Sequence, residues 1–238
     1  MKKTEIIAMS LWSLIYPARC PFCDGAMHMR QLVCEKCRGK VKPLSGPTCQ
    51  KCGKKVEEDQ VFCHDCRKKE HNFNQGFSLF QYEDIRESLY RFKYSGRAEY
   101  ARFYGEAAYR FYGTKLEALH ADALVPVPLH FRKQLKRGYN QAEEFATALS
   151  KLTGIPVEKH FVKRIKNTKP MKTVQGLQRQ NNLKSAFLIT GNDVKLKTII
   201  IIDDIYTTGA TIDAVSRVCR QAGIEKIYFL TVAVGNGM

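Results

Sequence analysis

Four consecutive isoleucines, Ile199 to Ile202, leave no polar face on the segment Thr198 to Ile202, the pattern of a central strand in a parallel sheet covered on both sides. Two further apolar runs have strand length. Ala123 to Val127 contains Pro126 and stops at Pro128, and Ile227 to Val234 lies near the end of the chain. Between them the apolar spacing changes to helical over Asp84 to Lys93, Tyr100 to Phe111, Asn140 to Leu152 and Thr211 to Gly223, with Gly154 stopping the third of these. Val157 to Ile165 reads as a second strand, and Lys166 to Asn182 is polar and irregular. Strands alternating with helices predict an α/β fold built on a parallel sheet.

The first third of the chain has no such pattern. Cysteines 20, 23, 34 and 37 are followed by cysteines 49, 52, 63 and 66, each displaced by 29 residues from its counterpart, so the spacing C-x2-C-x10-C-x2-C occurs twice. Neither short, polar copy can bury a core, and paired knuckles of this kind supply the four thiolates of a tetrahedral zinc site. Two structural zinc ions are expected. Sequential pairing would take Cys20, Cys23, Cys34 and Cys37 together and Cys49, Cys52, Cys63 and Cys66 together; cross-bracing would interleave them. The sequential arrangement is the expectation. His64 and His71 are then surplus to ligation, and Cys219, in the last helix, reads as a core residue. The composition shift near His71 to Gly76 divides the chain into residues 1–75, an N-terminal helix and double zinc ribbon, and residues 76–238, the α/β domain.

Charge adds a partner class. The 238 residues carry a formal +16, which two four-thiolate zinc sites reduce to about +12. Pro128 to Lys184 holds thirteen Lys or Arg against Glu143, Glu144 and Glu158, whereas 76–127 and 185–238 are each balanced. An anionic partner is expected at Pro128 to Lys184, where Phe131, Tyr139 and Phe161 lie among Arg132, Lys133, Lys136, Arg137, Lys163 and Arg164. Cations interspersed with aromatics suit the backbone and bases of single-stranded DNA. The opening Lys2, Lys3 and the apolar run Ile6 to Ile15 resemble an export signal, but Pro17, Ala18 and Arg19 make a poor cleavage site and zinc thiolates need a reducing compartment, so a cytoplasmic location is expected. No stretch approaches the roughly 20 apolar residues of a membrane-spanning helix.

The chemistry concentrates in IIIIDDIYTTGAT, Ile199 to Thr211. Ligands of open α/β sheets bind beyond the carboxyl ends of strands, where Asp203 and Asp204 fall. Both can accept hydrogen bonds from ribose hydroxyls or order a Mg2+ ion. The turn Thr207, Thr208, Gly209, Ala210 and Thr211 offers hydroxyls and backbone N–H groups at a helix N-terminus, a cradle for a 5'-phosphate.

This strand, acidic pair and turn resemble the phosphoribosyl-diphosphate signature of the type I phosphoribosyltransferases. With VPVPL and RGYNQ in Val125 to Gln141, Thr168 to Phe187 and the preceding ribbon, nearly the whole chain resembles the ComF family, whose members act in competence and in the use of DNA-derived nutrients. The resemblance implies a type I phosphoribosyltransferase-like parallel sheet with an N-terminal double zinc ribbon, and phosphoribosyl diphosphate with Mg2+ as ligand or substrate. It makes Asp203 and Asp204 the catalytic pair. Leu129 to Asn140 becomes a diphosphate loop with Arg132 and Arg137 as its cations, and Lys166 to Asn182 a hood over the site. Met171 stands where relatives have Gln. Thr207 replaces the Asp of 6-oxopurine transferases and cannot act as a base at neutral pH, which argues against purine salvage. Three functions stay open: phosphoribosyl transfer, a non-catalytic nucleotide-sensing module, and a scaffold of the DNA-import machinery. The resemblance implies handling of incoming single-stranded DNA in natural transformation, with a motor ATPase of that membrane-bound machinery as partner.

Overall fold

The computed structural model describes residues 17–165, 186–190 and 196–235. The helix expected at the N-terminus and the whole of the expected hood, Lys166 to Asn182, fall outside them. The ribbon begins with a two-residue hairpin, β1 (Ala18–Arg19) against β2 (Ala26–Met27), and includes a 3-10 turn at Glu35–Cys37 and a short α-helix, α1 (His64–Lys68). Then follow β3 (Gln75–Gln81), α2 (Tyr82–Tyr94), α3 (Tyr100–Ala118), β4 (Ala123–Pro126), α4 (Phe131–Arg137) and α5 (Gln141–Thr153). The remaining elements are β5 (Val162–Arg164), β6 (Phe187–Ile189), β7 (Thr198–Tyr206), α6 (Ala210–Gln221) and β8 (Lys226–Val234).

The sheet has the order β3-β8-β7-β4, every pair parallel. Its α/β class and parallel topology are those expected. Within β7 the period of two splits the isoleucines: Ile199 and Ile201 pack with Val215 and Cys219 of α6, while Ile200 and Ile202 pack with Phe92, Tyr104, Phe145 and Leu149 on the other face. All four are fully buried. Pro126 pairs with Ile202 on β4, an outer strand of the four, where a missing N–H is tolerated. Helices α3 and α5 pack closely because residue 105 is glycine; a Cβ there would lie 2.8 Å from that of Ala148.

Three expectations change. Val157 to Ile165 is not one strand: Val157 makes a single parallel bridge to Leu124, and β5 pairs antiparallel with β6 outside the main sheet. The segment Leu129 to Asn140 contains a helix rather than a continuous loop; the His130 ring accepts from the Arg132 N–H at its start and Gly138, at φ +81°, ends it. The third change is β3, which the aromatic-rich stretch after residue 75 hid. Its burial over 76–80 is continuous, so it has no alternating pattern.

The ribbon is fastened at both of its cysteine sets. Near the first, Asp24 accepts two hydrogen bonds from Arg97, at 2.7 and 2.9 Å, and one from the Tyr100 hydroxyl at 2.7 Å. Near the second, Cys49, Cys52 and Cys63 share a core with Phe73, Tyr206 and Phe229.

Candidate phosphate and metal sites

Strand β7 delivers Asp203 and Asp204 to the carboxyl edge of the sheet, both partly buried. Asp203 Oδ1 accepts from the Asp204 N–H at 2.8 Å. Loss of water around the carboxyl, followed by the charge of Asp204, pushes Asp203 up to about 7, against the pull of Lys93 and Arg164. Lys93, in the last turn of α2, places its ammonium 2.8 Å from Asp204 Oδ2. Helix α2 therefore reaches over the carboxyl edge of β7.

After the acidic pair the chain turns sharply. The Tyr206 ring stacks on Phe229, centroids 4.8 Å apart and planes 9° from parallel, and this fixed ring dictates the next turn. Residue 209 has φ +74°, and a Cβ there would lie 2.6 Å from the Tyr206 hydroxyl oxygen, so glycine is required twice over. Gly209 caps α6 without a side chain, which leaves the first-turn N–H groups of Ala210 and Thr211 with no side-chain acceptor from the cap. Thr207 lies against Gly235. Thr208 Oγ1 is buried and has no hydrogen-bond partner among the described residues. A buried hydroxyl costs about 1–3 kcal/mol when unpaired, so an orphan beside open helix N–H groups points to a ligand oxygen.

Lys93 and Arg164 act on Asp203 from neighbouring elements. Arg164 on β5 lies over the Phe187 ring at 5.3 Å, and burial holds its guanidinium below the usual range despite the charge of Asp203. Lys133 of α4 is depressed by burial, then by Arg164 and Arg137; His130 by burial, then by Arg132, Arg164 and Lys133. Arg164 is thus the cation of this group that feels Asp203, while Lys133 and His130 lie close enough to Arg164 to feel its charge. Arg132 and Arg137, the two cations expected here, have different positions. Arg132 is exposed beside the Phe131 ring. Arg137 is occupied: it donates to Gln141 Oε1 at 2.8 Å and to the Tyr94 hydroxyl at 3.1 Å. Sequence reasoning did not single out Lys93, Lys133 or Arg164 for this site. Lys133 lies within the expected diphosphate segment Leu129 to Asn140 but was not named as one of its cations; Lys93 and Arg164 lie in no motif, and only the topology brings them near Asp203 and Asp204.

The eight ribbon cysteines form two groups, Cys20, Cys23, Cys34, Cys37 and Cys49, Cys52, Cys63, Cys66, so pairing is sequential. Within each group all sulfurs lie within 4.8 Å of one another, with Cys23 and Cys34 at 3.7 Å and Cys52 and Cys63 at 3.6 Å. A tetrahedron with Zn–S bonds of ~2.3 Å has edges of about 3.8 Å, so both groups fit zinc. His64 is exposed and His71 is turned to Asp213 at 2.7 Å, consistent with neither being a ligand. Cys219 is fully buried in the core, as expected.

Of the three aromatics expected to meet single-stranded DNA, two are unavailable. Phe161 is buried, and the partly buried Tyr139 gives its hydroxyl to the Phe92 carbonyl; the segment contributes Phe131 alone, 58% exposed. No helix among the described residues is long and apolar enough to cross a membrane.

A family model for the double zinc ribbon domain matches residues 11–67. Competence protein F of Haemophilus influenzae is 30% identical over 220 residues, which cover 88% of this chain and 93% of that protein. Competence protein ComFC of Bacillus subtilis is 30% identical over 201 residues, 80% and 79% of the two chains. DNA utilization protein YhgH of Escherichia coli is 24% identical over 225 residues, 90% and 96%. A purine phosphoribosyltransferase structure from Pyrococcus horikoshii overlaps 58% of this chain and 73% of its own at 23% identity, with a TM-score of 0.32 that adds no weight to the topology itself.

Proposed function

The chain belongs to the ComF family of competence proteins, and from that membership we propose that it binds phosphoribosyl diphosphate and takes part in handling single-stranded DNA during natural transformation. The competence role follows the relatives; the ligand follows the site. One observation carries the ligand: the buried, unpartnered Thr208 Oγ1 at the N-terminal turn of α6, one turn from two carboxylates on β7. A 5'-phosphate would accept from Thr208 and the open N–H groups, and the ribose hydroxyls would donate to Asp203 and Asp204. The same oxygens suit Mg2+, which would neutralise diphosphate charge when bound. Arg164, near enough to Asp203 to act on its carboxyl, is the cation that such a diphosphate would meet.

Two features favour ligand sensing over turnover. Thr207 supplies no base of the kind that transfer to a 6-oxopurine uses, and Asp204 is already paired with Lys93 at 2.8 Å, so ligand must displace or share an existing ion pair. On either reading the protein works at the cytoplasmic side of the import apparatus with its motor ATPase. Calorimetric titration of phosphoribosyl diphosphate with Mg2+ into the wild type and the Asp203→Ala, Asp204→Ala double variant tests the binding. Heat in the wild type alone supports it, and equal affinity in both refutes it. Released diphosphate in the presence of nucleobases would replace sensing with transfer.

A further inference from the structure

Outside the phosphate site, α2 presents an uncovered aromatic pair. Tyr90 and Tyr94, one helical turn apart, are 61% and 59% exposed, with ring centroids 5.1 Å apart and planes tilted by 48°. Tyrosines this exposed serve no core: the buried face of the same helix is Ile85, Ser88, Leu89 and Phe92. The pair is also held in place. The Arg137 guanidinium lies 4.7 Å from the Tyr94 ring centroid and donates to its hydroxyl, joining the end of α4 to this face of α2. Helix α4 brings Arg132, Lys133 and Lys136 with no acidic residue of its own, along with exposed Phe131 and Leu135. Of the three acids on α2, Glu83 is matched by Arg86 at 4.0 Å and Glu87 by Arg91 at 3.4 Å, and exposed Asp84 lies in the first turn of the helix. On the adjoining side Lys93 connects the helix to Asp204.

We propose that Tyr90 and Tyr94 form a base-stacking platform for single-stranded DNA, whose phosphates are tracked by Arg132, Lys133 and Lys136 of α4. The proposal rests on the DNA-handling reading above and moves its aromatic contacts from the basic segment to α2. The charge complementarity favours this occupant. Exposed rings beside cations with no acidic partner among the described residues suit a strand with accessible bases and a continuous phosphate backbone, whereas a duplex hides its base faces. The guanidinium over Tyr94 orders the ring before a base arrives, which reduces the entropy lost on stacking.

The test uses the full-length, zinc-loaded protein and a fluorescein-labelled oligothymidylate in anisotropy titrations across a salt series. Wild type, Tyr90→Ala, and Tyr90→Ala with Tyr94→Ala are compared; the single variant leaves the Arg137 contact in place, and thermal melting checks the fold. Loss of stacking should weaken binding by about tenfold to a hundredfold in the double variant, with the single variant between, while the slope of log affinity against log salt stays the same. Lys133→Glu with Lys136→Glu should instead flatten that slope. A wild type that binds no oligonucleotide at low salt overturns the DNA-handling reading itself. A wild type that binds while folded tyrosine variants bind equally well overturns the platform alone, as does a change of oligomeric state with DNA affinity intact, which would make the patch a protein contact.

Discussion

Asp203 has little water around its carboxyl and Asp204 for a neighbour, and both hold its proton on. A folded-state value near 7 against an ordinary 3.8 gives the stability consequence a definite sign. Over that window the folded state keeps a proton that the unfolded state has lost, so metal-free stability declines as pH rises from about 4 to about 7 and then levels off. Asp203→Asn removes this cost. In the absence of divalent ions the variant should melt above the wild type at pH 8 and with it at pH 4; equal melting points at pH 8 would show that burial of the carboxyl is harmless. Gly209 is the other residue whose role is local. Gly209→Ala meets both a left-handed backbone and the Tyr206 hydroxyl, and should cost more than the ~1 kcal/mol of an ordinary helix-cap change, read in denaturant melts.

Helix α6 belongs to the proposed phosphate turn at its first residues and meets the ribbon one turn later. Asp213, buried in that turn, takes the Lys69 ammonium at 2.5 Å, His71 Nδ1 at 2.7 Å and the Asn72 N–H at 3.1 Å. Burial works to raise its pKa, but His71 and then Lys69 bring it below the ordinary range. Asp213→Ala would strand these partners at once, with an expected loss of about 3 kcal/mol or more in equilibrium unfolding. Little of this was legible in sequence. Four isoleucines announced β7 because a strand covered on both faces needs no polar residue, and Gly154 announced the end of α5. The cysteine pairs announced the metal sets because chelation depends on local spacing. By contrast, Asp213 with His71 and Asp204 with Lys93 are pairs 142 and 111 residues apart, which only the folded topology brings together. Tyr90 and Tyr94 were hidden for another reason: on an amphipathic helix an exposed tyrosine leaves the same pattern as any outward residue.

In the whole molecule the ribbon reads as a brace. Its first cysteine set is fastened by Asp24 to Arg97 and Tyr100, and its second shares a core with Tyr206, the residue that shapes the phosphate turn. Zinc removal should therefore damage the ligand site as well as the ribbon: chelation is expected to abolish phosphoribosyl-diphosphate binding and restored zinc to return it, followed by calorimetry beside metal analysis for two zinc ions per chain. The central claim, that a ligand phosphate occupies the turn from Thr207 to Thr211, is tested most directly by titrating phosphoribosyl diphosphate and Mg2+ into Thr208→Val. Valine keeps the shape and removes the orphaned hydroxyl. The account predicts unchanged thermal stability and an affinity lower by about 1.5 to 3 kcal/mol, roughly tenfold to a hundredfold in Kd. Wild-type affinity in that variant would contradict it.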